Sequence, residues 1–157
     1  MASYQSVLVA VDFTTHSEKA LLKGIELAKQ FDAKLNVVHV MELPTYPILE
    51  DIAVLGLPGV LDTELTEQIT AKSKQRLDTL LLQSGLELSQ AKLLIGSAST
   101  EILNYAQLIR ADLIVMGSHG VRGLTHLLGS TVDSVLHQAV CDVLAINLEK
   151  SQGKARY

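Results

Sequence analysis

The segment that decides the fold runs from Asp112 to Thr131 and reads Asp-Leu-Ile-Val-Met-Gly-Ser-His-Gly-Val-Arg-Gly-Leu-Thr-His-Leu-Leu-Gly-Ser-Thr. Its first part, Asp112–Met116, is nearly all apolar, which predicts a central strand of a parallel sheet. A glycine-containing loop follows from Gly117, and a helix is predicted from about Thr131 to Gln138. A strand that leads through a glycine loop into a helix is typical of an α/β fold.

The rest of the chain repeats this alternation of strands and helices. Further strands are predicted at Ser6–Val11, Leu35–Val40, Lys92–Ile95 and Asp142–Asn147, and helices after a capping box at Thr15–Glu18, over Asp62–Ser84 and over Ser99–Ile109. The pattern predicts a doubly wound α/β domain, in which a five-stranded parallel sheet has right-handed crossovers and helices on both faces. We expect one domain over residues 1–150, with a long connection at 41–61 and a polar tail at 151–157.

Composition excludes several classes of protein. The net charge of −4 argues against a non-specific nucleic-acid binder, which needs a basic face. The single cysteine, Cys141, rules out an intrachain disulfide and fits a reducing compartment. No apolar run has the roughly 18 residues that a membrane helix needs, and no signal peptide is evident. We therefore expect a cytoplasmic protein without membrane insertion.

The glycine loop has features of a phosphate-binding site. Gly117, Gly120 and Gly129 allow close approach of a ligand and positive φ, and a helix start at Ser130 and Thr131 favours an anion. Arg122 adds a positive charge. The loop matches neither the dinucleotide fingerprint nor a Walker A motif. A purely structural turn, with Ser130 as the N-cap and Asp133 completing a capping box, fits the same residues, and the residues alone leave both interpretations open.

At this loop the chain resembles the universal stress protein family. Gly117, two residues, Gly120, a longer spacer and then Gly129-Ser130 follow the family's ATP-binding pattern, although the spacer at 121–128 is one residue shorter than usual. Val7–Asp12 and Cys141–Ile146 also resemble the family, in the expected order. The family has a branch that lacks these glycines and does not bind ATP, so the resemblance is to the ATP-binding branch.

The resemblance implies an adenine nucleotide alpha hydrolase-like fold with strand order 3-2-1-4-5. It implies binding of ATP, or of ADP or AMP, with adenine beside Ala10, Asp12 and Val40, and with magnesium held only through the phosphates. The full set of implied nucleotide-binding residues is Ala10, Val11, Asp12, Val38, Val40, Met116, Gly117, Ser118, His119, Gly120, Arg122, Gly129, Ser130, Thr131 and Val132. For Asp12, capping of the first helix is the alternative to a ribose or metal-linked role.

The resemblance also implies a regulatory protein that acts through a partner protein, and a homodimer paired through the last strand, Asp142–Asn147. That strand is an expected sheet edge, and exposed edges are usually paired or covered. Two alternatives are a pure interaction module with a structural glycine loop, and a slow ATPase or autophosphorylating protein. No general base or Walker carboxylate pair is evident, so we expect no enzyme. The five histidines lack metal-binding spacing, so we expect no protein metal site.

Overall fold

A computed structural model of the chain describes residues 3–43, 63–119 and 128–147. The strands are β1 (Ser6–Ala10), β2 (Lys34–Met41), β3 (Ala91–Ile95), β4 (Leu113–Gly117) and β5 (Asp142–Ile146). The helices are α1 (Thr15–Phe31), α2 (Thr63–Gln83), α3 (Ala98–Leu108) and α4 (Ser130–Gln138), and a short 3₁₀ turn, Leu88–Gln90, precedes β3. No helix within the described ranges is long and apolar enough to span a membrane.

All five strands lie in one parallel sheet with the order β3-β2-β1-β4-β5. The predicted fold class and the predicted strand order are confirmed. The order reverses at β1, which pairs with β2 on one side and with β4 on the other. In doubly wound sheets a ligand cleft opens at the carboxyl ends of the strands, beside such a switch point.

Alternate residues of the central strands point into two separate cores. Val7, Val9 and Val11 pack with α1 and α2, through residues such as Leu21 and Leu77. The strand residues that point to the other face, such as Leu8 and Ile114, pack with α3 and α4. The helix residues in this second core are Ile102, Ala106, Val132 and Val135. The sheet is therefore covered on both faces, which explains why its central strands are continuous apolar runs.

The start of α1 differs from the prediction by one residue. The N-cap is Thr14, whose side chain accepts a hydrogen bond from the backbone N–H of Ser17. The predicted capping box at Thr15–Glu18 is wrong, because Thr15 is already the first helical residue. Two adjacent threonines offer the same hydroxyl, and it is Thr14 that is also bonded to Asp12.

The other element boundaries agree with the prediction to within a residue or so. The helix predicted over Asp62–Ser84 ends at Gln83, and the turn after it has Gly85 with a left-handed φ of +72° and a bond from the Leu86 N–H to the Leu81 carbonyl. The 3₁₀ turn before β3 was not predicted. The connection at 44–62 and the tail lie outside the described residues.

Candidate functional site

A cleft of about 640 Å³ opens at the carboxyl ends of β1, β2 and β4, beside the start of α4. Its size is within the range of small-molecule sites. Its apolar lining consists of side chains at strand ends and on α3, such as Ala10, Val38, Ile102 and Met116. The start of α4, Gly129–Asp133, also lines the cleft and adds backbone N–H groups and hydroxyl groups. This combination suits a ligand with an apolar ring at one end and an anion at the other.

Most residues of the predicted nucleotide site line this cleft. They are Ala10, Val11, Asp12, Val38, Val40, Met116, Gly117, His119, Gly129, Ser130, Thr131 and Val132. Ser118 is buried and holds the His119 ring. Gly120 and Arg122 lie outside the described residues.

Asp12 organises the turn between β1 and α1. Its Oδ1 accepts hydrogen bonds from both the backbone N–H and the hydroxyl of Thr14. The hydroxyl of Ser17 donates to the Thr14 carbonyl and accepts from the Asp12 N–H. The alternative considered for Asp12, capping of the first helix, is therefore wrong, because Thr14 is the N-cap and Asp12 instead holds Thr14. Asp12 also lines the cleft.

The same turn is fixed from the other side by Phe13, His39 and Arg76. Phe13 has a left-handed φ of +63°, which is unfavourable for a bulky side chain. Its ring lies 4.4 Å from the His39 ring, and the Arg76 guanidinium lies 4.5 Å from its centroid. His39 Nδ1 donates to the Val11 carbonyl at 2.8 Å. These contacts from β2 and α2 hold the strained turn in place.

Burial lowers the pKa of His39, and the nearby Arg76 lowers it further. The hydrogen bond to the Val11 carbonyl and the negative charge of Asp12 act in the opposite direction. The net effect favours a neutral ring at neutral pH. His39 lies near the end of β2 and lines the cleft.

The backbone conformations of Gly117 and Gly129 differ from those expected. Gly129 has a φ of −61°, and Gly117 is not among the glycines with positive φ, so the predicted positive φ is wrong at both. At Gly117 the space that a side chain needs is filled by the first turn of α1, at His16 and Ser17. The close approach at Gly117 is therefore made by a helix of the same chain.

The start of α4 favours an anion. The N-cap is Gly129, which provides no side-chain capping bond, and Ser130 is the first helical residue. The structural alternative, with Ser130 as the N-cap, is therefore wrong. The first N–H groups of a helix have no intrahelical acceptor, and here no side chain at the cap takes one. These donors, with the helix dipole, lie in the cleft wall.

The charges of the side chains in the cleft work against an anion. The carboxylates of Asp12, Glu42 and Asp133 line it, and within the described ranges no lysine or arginine does. Glu42 is partly engaged, because its Oε1 accepts from the Ala98 N–H at the start of α3. The side chains that line the cleft within the described ranges therefore leave a polyanion dependent on the helix start and on cations from elsewhere. No cluster of three metal-binding side chains occurs in the part of the chain that the structure describes.

Several lining residues were missed by sequence reasoning. They are Ser17, His39, Glu42, Ala98, Ile102, Leu128 and Asp133. Glu42 directly follows β2 at the edge where the cleft opens, so its place at a strand carboxyl end was an available signal. Ala98 and Ile102 come from α3, and only the packing of that helix beside β2 reveals their position.

Comparison with known proteins agrees with this architecture. The model of the Universal stress protein family matches residues 3–147. The chain belongs to the universal stress protein family. The resemblance seen in the sequence is confirmed, and the family domain covers all the described elements.

Individual relatives match over almost their whole length. "Universal stress protein A homolog 2" of Coxiella burnetii is 34% identical over 96% of this chain and 100% of its own. Among solved structures, universal stress protein UspA from Lactobacillus plantarum superposes with a TM-score of 0.70 at 25% identity, covering 93% of this chain and 99% of its own. A universal stress protein in complex with cAMP has a TM-score of 0.56 at 21% identity, covering 93% of this chain and 98% of its own, which shows the shared fold.

Proposed function

We propose that this universal stress protein binds an adenine nucleotide, ATP or its ADP and AMP forms, in the cleft between β1, β4 and α4. The observation that carries the proposal is that apolar side chains at strand ends and a helix start without a side-chain cap line the same cleft. The purine ring packs against Val38, Val40 and Ile102, and the phosphates meet the N–H groups at Ser130 and Thr131. A neighbour of the same fold was solved with cAMP, also an adenine nucleotide, which supports the proposal.

The nucleotide is proposed to bind together with Mg²⁺, because carboxylates line the cleft. The phosphates would otherwise enter a cleft lined by Asp12, Glu42 and Asp133. Asp12 fits the role of a magnesium ligand, because it offers hard carboxylate oxygen and only its Oδ1 is used by Thr14. Mg²⁺ in nucleotide sites is typically held by one or two carboxylates together with phosphate oxygens. The cation would reduce repulsion between the phosphates and Asp12.

The proposed role is regulatory and not catalytic. The nucleotide changes the surface that a partner protein meets, in the cytoplasm. We further propose a homodimer paired through β5, which is the edge strand next to β4. Its residues Val143–Ile146 are only partly buried in a single chain, and the preceding Val140 is 84% exposed. Exposed sheet edges are usually paired, covered or blocked, and pairing with a second chain would cover this apolar strand.

The test of nucleotide binding is calorimetric titration and thermal unfolding with ATP, ADP and AMP, with and without Mg²⁺. A specific ligand stabilises the folded state according to its concentration relative to Kd. We expect a rise in Tm for at least one adenylate and tighter ATP binding with Mg²⁺ than with EDTA. GTP and free ribose phosphate serve as controls. Absence of binding by every adenylate would refute the proposed function.

A further inference from the structure

Glu42 is a carboxylate beside the apolar lining of the cleft. It follows β2 directly, two residues after Val40 and four after Val38. Alternate residues of a strand point to the same face of a sheet, and both valines pack in the core that faces α3. The same alternation, continued one residue past the end of β2, directs Glu42 to that face, and Glu42 lines the cleft together with the two valines.

The start of α3 holds the Glu42 side chain in this place. The N-cap of α3 is Ser97, which provides no side-chain capping bond. The Ala98 N–H donates instead to Glu42 Oε1 at 2.9 Å. Ala98 lies one turn before Ile102, on the same face of α3, and both residues line the cleft. Glu42 therefore bridges the residues of β2 and of α3 that border the apolar part of the cleft.

The second oxygen of this carboxylate remains available to a ligand. A carboxylate has two oxygens, and both act only as acceptors. In the part of the chain that the structure describes, the bond from Ala98 is the only hydrogen bond of Glu42, and the side chain is exposed. Glu42 Oε2 can therefore accept a hydrogen bond from a molecule in the cleft.

The strand order separates Glu42 from the start of α4. The Gly129 N–H, at the cap of α4, donates to the carbonyl of Ser118, the residue directly after β4. Glu42 follows β2, and β1 lies between β2 and β4. The ends of β2 and β4 are thus about 10 Å apart, twice the spacing of neighbouring strands. Glu42 also occupies the Ala98 N–H, so the start of α4 is more available to a phosphate than the start of α3.

The base of a nucleotide matches the place beside Glu42. This step rests on the proposed function, in which the purine ring packs against Val38, Val40 and Ile102. The 6-amino group of adenine is a hydrogen-bond donor on the edge of the ring, and a carboxylate oxygen is an acceptor that fits it. A phosphate in the same place would be repelled by the carboxylate.

We propose that Glu42 Oε2 accepts a hydrogen bond from the 6-amino group of the bound adenine. Glu42 thereby selects the base and fixes the direction of the nucleotide, because its negative charge keeps the phosphates away from the end of β2 and leaves them at the start of α4. Ala98 is a positioning residue, since its N–H holds the other oxygen of the carboxylate.

The experiment is calorimetric titration, in the presence of Mg²⁺, with ATP and with purine riboside 5′-triphosphate, which lacks only the 6-amino group of ATP. We expect the unchanged protein to prefer ATP by at least about tenfold, the worth of one hydrogen bond to a charged group. Glu42→Gln retains one oxygen for the Ala98 N–H, and its amide nitrogen cannot accept a hydrogen bond. In this variant the preference should fall to about twofold or less.

Control variants separate this role from a structural one. Glu67→Gln removes an exposed carboxylate of α2 outside the cleft lining and should keep the full preference for ATP. Glu42→Ala removes both oxygens and should lose the preference as Glu42→Gln does. Without ligand, the Tm should fall in Glu42→Ala and change little in Glu42→Gln, because only alanine leaves the Ala98 N–H without its acceptor.

The outcomes distinguish two failures. If the unchanged protein binds no adenylate at all, both the proposed function and this inference are wrong. If it binds ATP and the purine riboside analogue equally, only the inference is overturned. The same holds if Glu42→Gln and Glu42→Ala keep the full preference for ATP, because another group then binds the 6-amino group. A change of affinity by one common factor for both ligands also overturns it, since Glu42 then acts on the phosphates or on the fold.

Discussion

Gly117 and His16 are in direct contact, and the contact leaves no room for a side chain on Gly117. A Cβ at Gly117 would lie 2.8 Å from His16 Cβ, 3.0 Å from the His16 carbonyl carbon and 3.1 Å from the Ser17 nitrogen. Backbone atoms of α1 contribute to this crowding, so a change of side-chain rotamer cannot relieve it. The first turn of α1 therefore packs on the end of β4 without strain only when residue 117 is glycine.

Gly117→Ala should destabilise the protein by about 1–3 kcal/mol, the usual cost of overpacking. Urea unfolding measures this free energy. Gly85 is the control, because a Cβ there meets nothing within 4 Å. Substitution of Gly85 destabilises the protein only through its φ of +72°. Gly85→Asn should cost less than Gly85→Ala, since asparagine tolerates this conformation. Gly117→Asn should instead cost more than Gly117→Ala, and the opposite order would contradict a steric origin.

Ser130→Glu should weaken ATP binding by at least about tenfold, because a carboxylate at the first residue of α4 repels the phosphates and competes for the helix N–H groups. Folding should change little, since an acidic residue suits a helix start. Thr100→Glu is the matched control: it adds the same charge to the first turn of α3, at an exposed position outside the cleft lining. Equal loss of affinity in both variants, measured by calorimetry, would argue against phosphates at α4.

Ala145→Pro should convert a dimer into a folded monomer. The Asp142 N–H and the Ile146 carbonyl bond to β4, so the alternate residues Val143 and Ala145 direct their backbone groups to the free edge. Proline at Ala145 removes an edge donor and spares the ladder to β4. Leu144→Pro removes a ladder donor and should lower Tm strongly. Light scattering at tens of micromolar protein measures the molar mass. If Ala145→Pro has the same dimer mass as the unchanged protein, the dimer contact does not involve the edge of β5.

His39 should make stability fall as the pH decreases below about 6.5, the ordinary histidine value. Its folded pKa is lowered by burial, so the unfolded chain binds a proton at a higher pH than the folded chain does. Stability therefore rises with pH across the window between the two pKa values. Asp12 and Arg76, which face the ring, act in opposite directions. Urea unfolding from pH 5 to 8 should show a shallower slope for His39→Gln, and an unchanged slope would assign the effect to other groups.

Periodicity along the chain was enough to predict the α/β class, the strands and the helices on both faces, because these depend on which neighbouring residues are apolar. The position of the cleft also followed, since parallel strands end at a common edge. Most of its predicted lining, from Ala10 to Val132, came from that rule and from the family resemblance. The sequence did not predict that Ala98 and Ile102 line the cleft, because their position depends on how α3 packs against the sheet.

The sequence by itself determined where the glycine loop and the strand ends lie, because local composition encodes them. Only the tertiary structure decided that Thr14 rather than Thr15 caps α1, and that Gly117 is small to admit His16. The same holds for the His39 contact with Phe13 and for the gathering of Asp12, Glu42 and Asp133 at one cleft. These features depend on distances between residues far apart in the chain, which are set by packing of the sheet and helices.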